Sequence, residues 1–191
     1  PVSGYRRQRR GGKGMKGTTT KDEEYVEHLF VATNHNYLLF FTKNGRCYWL
    51  KVYEIPEGTR LSRGRAIVNL IEIEKEDSVM AIVPVKSLDD AEYIKDQSIL
   101  MATEKGVIKK TALELYSRPR RNGIIAINVR EGDRLLSAGL TDGDSTILLA
   151  ADNGRAIRFH ESQARQMGRN TSGVRGMNLG PNDHLVDLVI V

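Results

Sequence analysis

The residue types best suited to chemistry stand close together near the start of the chain. Gln8, Arg9, Arg10, Gly11, Gly12, Lys13 and Gly14 form an unbroken run of guanidinium, ammonium and glycine. Glycines let a backbone lie close to a ligand, and bare amide N–H groups flanked by Arg and Lys suit phosphate oxygens. Arg6, Arg7 and Lys16 extend the charge on either side. The same composition also describes a flexible Gly/Arg linker. Gly12 to Gly17 formally matches GxGxxG, but no strand-like run precedes it and no helical pattern follows, so a dinucleotide fingerprint is not supported. A phosphate-binding P-loop fails as well, because Thr18 stands where that motif requires Lys.

Covalent and acid–base chemistry has little to work with. His28, His35, His160 and His184 lack metal-ligand spacing, and there is no GxSxG nucleophile motif. Cys47, the single cysteine, sits between Arg46 and Tyr48 in a strand-like run and reads as buried filler. One cysteine allows no internal disulfide, which fits a reducing compartment. Trp49 and most of the seven tyrosines read as core or cross-strand packing.

The elements that must carry the basic residues repeat along the chain. Three turn glycines, Gly45, Gly106 and Gly154, each lie between two strand-like runs, which predicts hairpins near residues 37–51, 98–111 and 146–159. Asn-Gly at two of these turns predicts a tight two-residue connection with both residues at positive φ. A second glycine follows each hairpin, at Gly64, Gly123 and Gly173, in a basic loop. An apolar strand carrying Asn69, Asn128 or Asn178 comes next. An acidic turn (Glu76–Asp77, Gly132–Asp133, Asn182–Asp183) and a last apolar strand close each unit. An insertion at 86–96, opening Ser-Leu-Asp-Asp, lengthens the first unit and forms a short helix or a loop. The run Gly12, Lys13, Gly14 and Met15 resembles Val174, Arg175, Gly176 and Met177 of the third unit. On that register the chain starts and ends within a repeat and holds about four units. Four strands per unit of roughly 50 residues is the pattern of propeller blades. A β-sandwich has similar turn spacing but no reason to repeat a basic loop.

The basic loops supply Arg60, Arg63 and Arg65 from the first unit. Arg118, Arg120 and Arg121 come from the second, and Arg165, Arg169 and Arg175 from the third. Stacked blades would bring them to one rim, a track for a polyanion. Arginines that merely pair with local acids are the alternative. The 191 residues carry a net charge of +5. Arg6, Arg7, Arg9, Arg10, Lys13 and Lys16 account for all of it, since the remainder holds 23 basic and 24 acidic residues. Residues 1–20 are therefore a basic segment leading into the first blade. The longest apolar run, residues 79–85, is too short to span a membrane, and no signal peptide opens the chain. Starting at Pro1 rather than Met, the chain reads as a piece of a longer polypeptide.

The segment Gln8 to Gly14 resembles the seven-residue box of the C-terminal domain of DNA gyrase A subunits. Thr103 to Thr111 and Asn170 to Met177 resemble blade segments of the same family, and the similarity runs over essentially the whole chain. The resemblance implies an all-β, propeller-like β-pinwheel of six four-stranded blades that exchange strands, about four of them present in a single domain over residues 1–191. It implies a non-catalytic domain that wraps double-stranded DNA right-handedly around its basic perimeter, so that ATP-dependent gyrase can introduce negative supercoils. The box role falls on Gln8, Arg9, Arg10, Gly11, Gly12, Lys13 and Gly14. The implied partners are DNA, the gyrase B subunit and a second gyrase A subunit. The domain itself would hold no cofactor, while the whole enzyme uses ATP and Mg2+. Its catalytic tyrosine and ATPase lie elsewhere, and its place is the bacterial cytoplasm, at the nucleoid. The C-terminal domain of topoisomerase IV, which has lost or eroded the box, is the near alternative. A protein-binding propeller is the distant one.

Overall fold

The computed structural model describes residues 28–59, 62 and 64–191. The strands are β1 (Tyr37–Thr42), β2 (Arg46–Lys51), β3 (Val79–Val85), β4 (Ser98–Thr103), β5 (Val107–Ala112), β6 (Ile124–Ile125), β7 (Leu135–Thr141), β8 (Thr146–Ala151), β9 (Ala156–His160), β10 (Val174–Arg175) and β11 (Leu185–Ile190). A single short α-helix among the described residues, α1 (Ala91–Ile94), lies in the insertion. The Asp90 side chain caps it by accepting from the amides of Glu92 and Tyr93.

Three antiparallel sheets result, ordered β3-β1-β2-β6, β10-β5-β4-β7 and β11-β8-β9. The order shows strand exchange. β6 follows the second hairpin in sequence yet pairs with β2 of the first sheet, Cys47 opposite Ile124. β10 follows the third hairpin yet pairs with β5 of the second, Ile108 opposite Val174. Each donated strand is only two residues long, much shorter than the apolar strands expected there. In the first unit the corresponding stretch is a 3-10 turn, Ile67–Asn69. The third sheet has three strands rather than four among the described residues.

The hairpin connections differ from the expected two-residue turn. Three residues, Lys43, Asn44 and Gly45, separate β1 from β2. The Gly45 amide donates to the Thr42 carbonyl at 2.9 Å, and Gly45 takes φ +87°. This is a tight turn closed by a left-handed glycine. Gly106 and Gly154 repeat it, at +83° and +81°. Asn-Gly overstated the turn because the strands' register, Phe41 opposite Cys47, leaves three residues to connect after Thr42. Gly45 has a second task. The amides of Ala126 and Ile127 donate to its carbonyl, and a Cβ there would collide with the Ile127 carbonyl oxygen.

Alternation along the strands divides the core into layers. Leu39, Phe41, Cys47 and Trp49 face the second sheet and pack with Ile99, Met101, Leu113 and Tyr116. Leu38, Phe40, Tyr48 and Leu50 face the other way, onto Ile71. Leu100, Ala102 and Ile108 meet Ile147, Leu149 and Ala151 of the third sheet. β1 and β4 are thus covered on both faces, which is why their sequences run apolar without a break. Each fully buried Leu, Ile or Phe contributes roughly 1.5–3 kcal/mol. β7 packs between β3 and β11, so these three strands form the inner edge, and β6, β10 and β9 lie at the outer edge.

Candidate nucleic-acid interface

Most of the strongest sequence feature lies outside the described residues: Arg6, Arg7, Gln8, Arg9, Arg10, Gly11, Gly12, Lys13, Gly14 and Lys16, together with Arg60 and Arg63. Among the described residues the candidate interface consists of the second and third basic loops. Residues 117–123 lead directly into β6, and residues 164–173 lead directly into β10. Because β6 and β10 are the outer strands of successive sheets, both loops run along the outer perimeter.

Arg118, Arg120 and Arg121 are exposed on the first of these loops. Arg165 is exposed on the second, and Arg175 is exposed in β10 itself. Of these five, only Arg121 forms an ion pair among the described residues, with Glu72 at 2.6 Å, and its side chain remains 86% exposed. Local acids therefore neutralise little of this rim. Arg65, also exposed, follows Gly64 in the first unit. Arg169 differs from the rest. It is half-buried, and its Nη1 donates to the Ile125 carbonyl at 3.2 Å, so it straps the third unit's loop to the donated strand of the first sheet.

Sequence reading overlooked a cation that the fold brings to this rim. Lys51, at the end of β2, sits 5.1 Å from the centre of the Tyr37 ring and 5.5 Å from that of Tyr53. Tyr37, and then Tyr53, raise its pKa above the usual lysine value, so it remains charged. Together with Trp49, Arg120 and Arg121 they line a cleft of about 270 Å³ between the first sheet and the second basic loop. Glu54 is the acid in that cleft, and its carboxylate accepts from the Lys51 amide. Tyr37 and Tyr53 lie 16 positions apart, so only the hairpin brings them together.

Acidic turns hold the hairpin tips in a repeated way. Asp77 accepts from the Asn44 amide and Asp133 from the Lys105 amide, both at 3.0 Å. Asp183 accepts from the Asn153 side chain at 2.9 Å. These carboxylates are thus occupied by structure.

No group of three or more His, Cys, Asp or Glu is arranged to hold a metal among the described residues. Burial pushes the Cys47 thiol well above its ordinary range, so it is not a thiolate at neutral pH. His160 and His184 each pair with an aspartate, Asp144 and Asp152, at 3.1 Å. No helix of the described residues is long and apolar enough to cross a membrane.

The chain as a whole is similar to several known proteins. A family model described as the DNA gyrase C-terminal domain, β-propeller, matches in four segments: residues 1–33, 36–86, 97–142 and 145–191. The DNA gyrase A subunit of Salmonella typhimurium is 44% identical over 190 residues, which is 100% of this chain and 21% of that protein. The DNA gyrase A subunit of Haemophilus influenzae is 44% identical, covering 98% of this chain and 21% of its own length. The chain therefore spans about a fifth of the curated relatives it matches. Among solved structures, a DNA gyrase A C-terminal domain superposes with TM-score 0.74 at 25% identity, over 99% of this chain and 59% of that one. A topoisomerase IV C-terminal domain superposes with TM-score 0.78 at 27% identity, over 92% of this chain and 53% of that one. With the family model covering nearly every residue and gyrase relatives aligned end to end, the chain belongs to the DNA gyrase C-terminal domain family.

Proposed function

We propose that this chain binds double-stranded DNA along its outer perimeter and wraps it right-handedly, as the DNA-wrapping part of a gyrase A subunit. The carrying observation is the recurrence of exposed arginines at the same structural place, ahead of the outer strand of successive sheets. Bending 20–30 base pairs through 40–90° costs on the order of 1–6 kcal/mol, and only a curved series of phosphate contacts offsets that. Arg118, Arg120, Arg121, Arg165, Arg175 and Arg65 make that series, with Lys51 beside it. Arg60 and Arg63 are further candidate phosphate contacts outside the described residues, as are Arg6, Arg7 and Lys16 around the box Gln8, Arg9, Arg10, Gly11, Gly12, Lys13 and Gly14. None of these contacts suggests base-edge readout, so sequence preference is weak.

In this reading the chain performs no chemistry itself and takes no cofactor. DNA cleavage, ATP and Mg2+ belong to the rest of the enzyme, with the gyrase B subunit and a second gyrase A subunit, in the bacterial cytoplasm. The likeness to a topoisomerase IV domain supports a second reading, DNA binding without strong wrapping. Ligation of a nicked plasmid with increasing amounts of the chain separates the two. A positive shift in linking number supports wrapping. DNA binding without any shift favours the second reading. Replacing Arg9, Arg10 and Lys13 by Ala should abolish the shift with the fold intact, and an unchanged shift would remove the box from the mechanism.

A further inference from the structure

β5 carries two consecutive lysines, Lys109 and Lys110, and both are buried, at 0% and 9% exposure. Strand alternation sends them to opposite faces. Lys109 has no carboxylate partner among the described residues. Its Nζ donates instead to three main-chain carbonyls: Ala126 at 2.6 Å, Thr171 at 3.3 Å, and Arg169. Three donors meeting three acceptors is the full capacity of an ammonium. Lys110 Nζ donates to the Glu161 carbonyl at 2.9 Å and lies 3.5 Å from its carboxylate. The Met167 amide donates to the Lys110 carbonyl. The third basic loop is thereby fastened at 167, 169 and 171, and the turn before it at 161, by two neighbouring residues.

The first sheet does the same with different chemistry. Trp49 stands four residues after its turn glycine, as Lys110 does after Gly106. Its Nε1–H donates at 3.0 Å to the carbonyl of Tyr116, the residue just before the second basic loop. Arg46 Nη2 donates at 2.8 Å to the carbonyl of Asn122, near that loop's end. A buried ammonium is costly, and a core of this kind could be filled by apolar residues at no such cost. Holding the carbonyls of a loop that has little regular structure of its own is what these donors accomplish.

We propose that Lys109 and Lys110 in the second sheet, and Arg46 and Trp49 in the first, are positioning residues that fix the next unit's arginine loop in the conformation that meets DNA. They touch no DNA themselves. The proposal rests on the DNA-binding reading above, and its test separates the two.

The test compares wild type, Lys109→Met, Trp49→Phe, R165A/R175A, and K109M on the R165A/R175A background. The readouts are amide hydrogen exchange and affinity for a short DNA duplex. Trp49→Phe removes one donor while keeping an aromatic ring in the core, so it serves if Lys109→Met fails to fold. Exchange at 167–171 in K109M, and at 116–122 in W49F, should quicken at least tenfold while the β4–β5 hairpin stays protected. Duplex affinity of K109M should fall by about tenfold, the worth of one charge-assisted contact. K109M should cost nothing further once Arg165 and Arg175 are gone, whereas a merely structural defect would add. Unchanged exchange in both loops, or full additivity, overturns the proposal with the DNA reading intact. Wild-type affinity in R165A/R175A overturns the DNA reading of this unit's rim, and the proposal with it.

Discussion

Replacing Glu161 by Gln and by Leu should separate two parts of one buried interaction. Glu161 is 1% exposed, in a 3-10 turn after β9. Its Oε1 accepts from both the Gly143 and Ser145 amides, at 2.7 and 3.0 Å, and its Oε2 lies 3.5 Å from Lys110 Nζ. Gln can keep Oε1 where it is, so both amide bonds survive. Its NH2 then faces the Lys110 ammonium, and the counter-charge is lost. Removing one partner of a buried pair costs about 3–5 kcal/mol. Lys110 retains the Glu161 carbonyl, so Glu161→Gln should cost somewhat less than that range, about 2–3 kcal/mol. Glu161→Leu also strands the buried Ser145 amide and the part-buried Gly143 amide, at roughly 1–3 kcal/mol each. Its total of about 4–9 kcal/mol is comparable to the whole stability of a typical domain. Adding Lys110→Met should recover part of that by removing the stranded charge. Urea unfolding followed by tryptophan fluorescence measures each step as a shift in midpoint at constant slope. Equal losses for Gln and Leu would refute the division between amide and charge contributions.

The same carboxylate predicts an acid limb. Burial alone would raise the Glu161 pKa, but the Ser145 amide, the Thr141 hydroxyl, the Gly143 amide and Lys110 together bring it below the ordinary 4.5. A depressed carboxylate contributes stability that is complete above its unfolded value and is lost as pH falls through its folded value. Glu161→Gln should flatten that part of the acid-denaturation curve. Lys109 predicts the alkaline counterpart: burial, and then the Arg169 charge, lower it from 10.5 to about 8. The unfolded chain then binds more protons between those values, so stability should rise with pH from about 8 to 10.5, and Lys109→Met should lack the rise in paired urea titrations. Replacing Arg118, Arg120 and Arg121 by Ala should reduce the log–log salt slope of DNA binding by about 2.7, at roughly 0.9 per phosphate, in a fluorescence titration. Gly173→Ala and Gly154→Ala both force alanine to φ +81°, at about 1–2 kcal/mol. At Gly173 the new Cβ also collides with the Ile108 carbonyl oxygen, while Gly154 has open space, so Gly173→Ala should lower the urea midpoint clearly more.

Local chemistry made much of this protein legible in one dimension. Tyr37–Thr42 and Arg46–Lys51 are apolar runs on either side of a glycine, and their hydrogen bonds close within 15 residues, so spacing suffices to place them. The arginine loops could be read for the same reason, as charge at a fixed offset from those turns. Strand exchange could not. Ile124–Ile125 and Val174–Arg175 are too short to carry a periodic signal, and their partners lie 77 and 66 positions away, Cys47 for Ile124 and Ile108 for Val174. The burial of Lys109 and Lys110 could not be read either, because nothing in β5 itself announces the carbonyls that surround them. Those carbonyls come from residues 126 to 171, and only packing gathers them. The sequence by itself determined the repeat, the all-β character and the placement of positive charge, because each depends on neighbours along the chain. Tertiary structure alone decided which sheet each short strand completes, which arginine becomes a strap, and which lysines are buried, because a group's hydration and partners depend on what the folded chain brings around it.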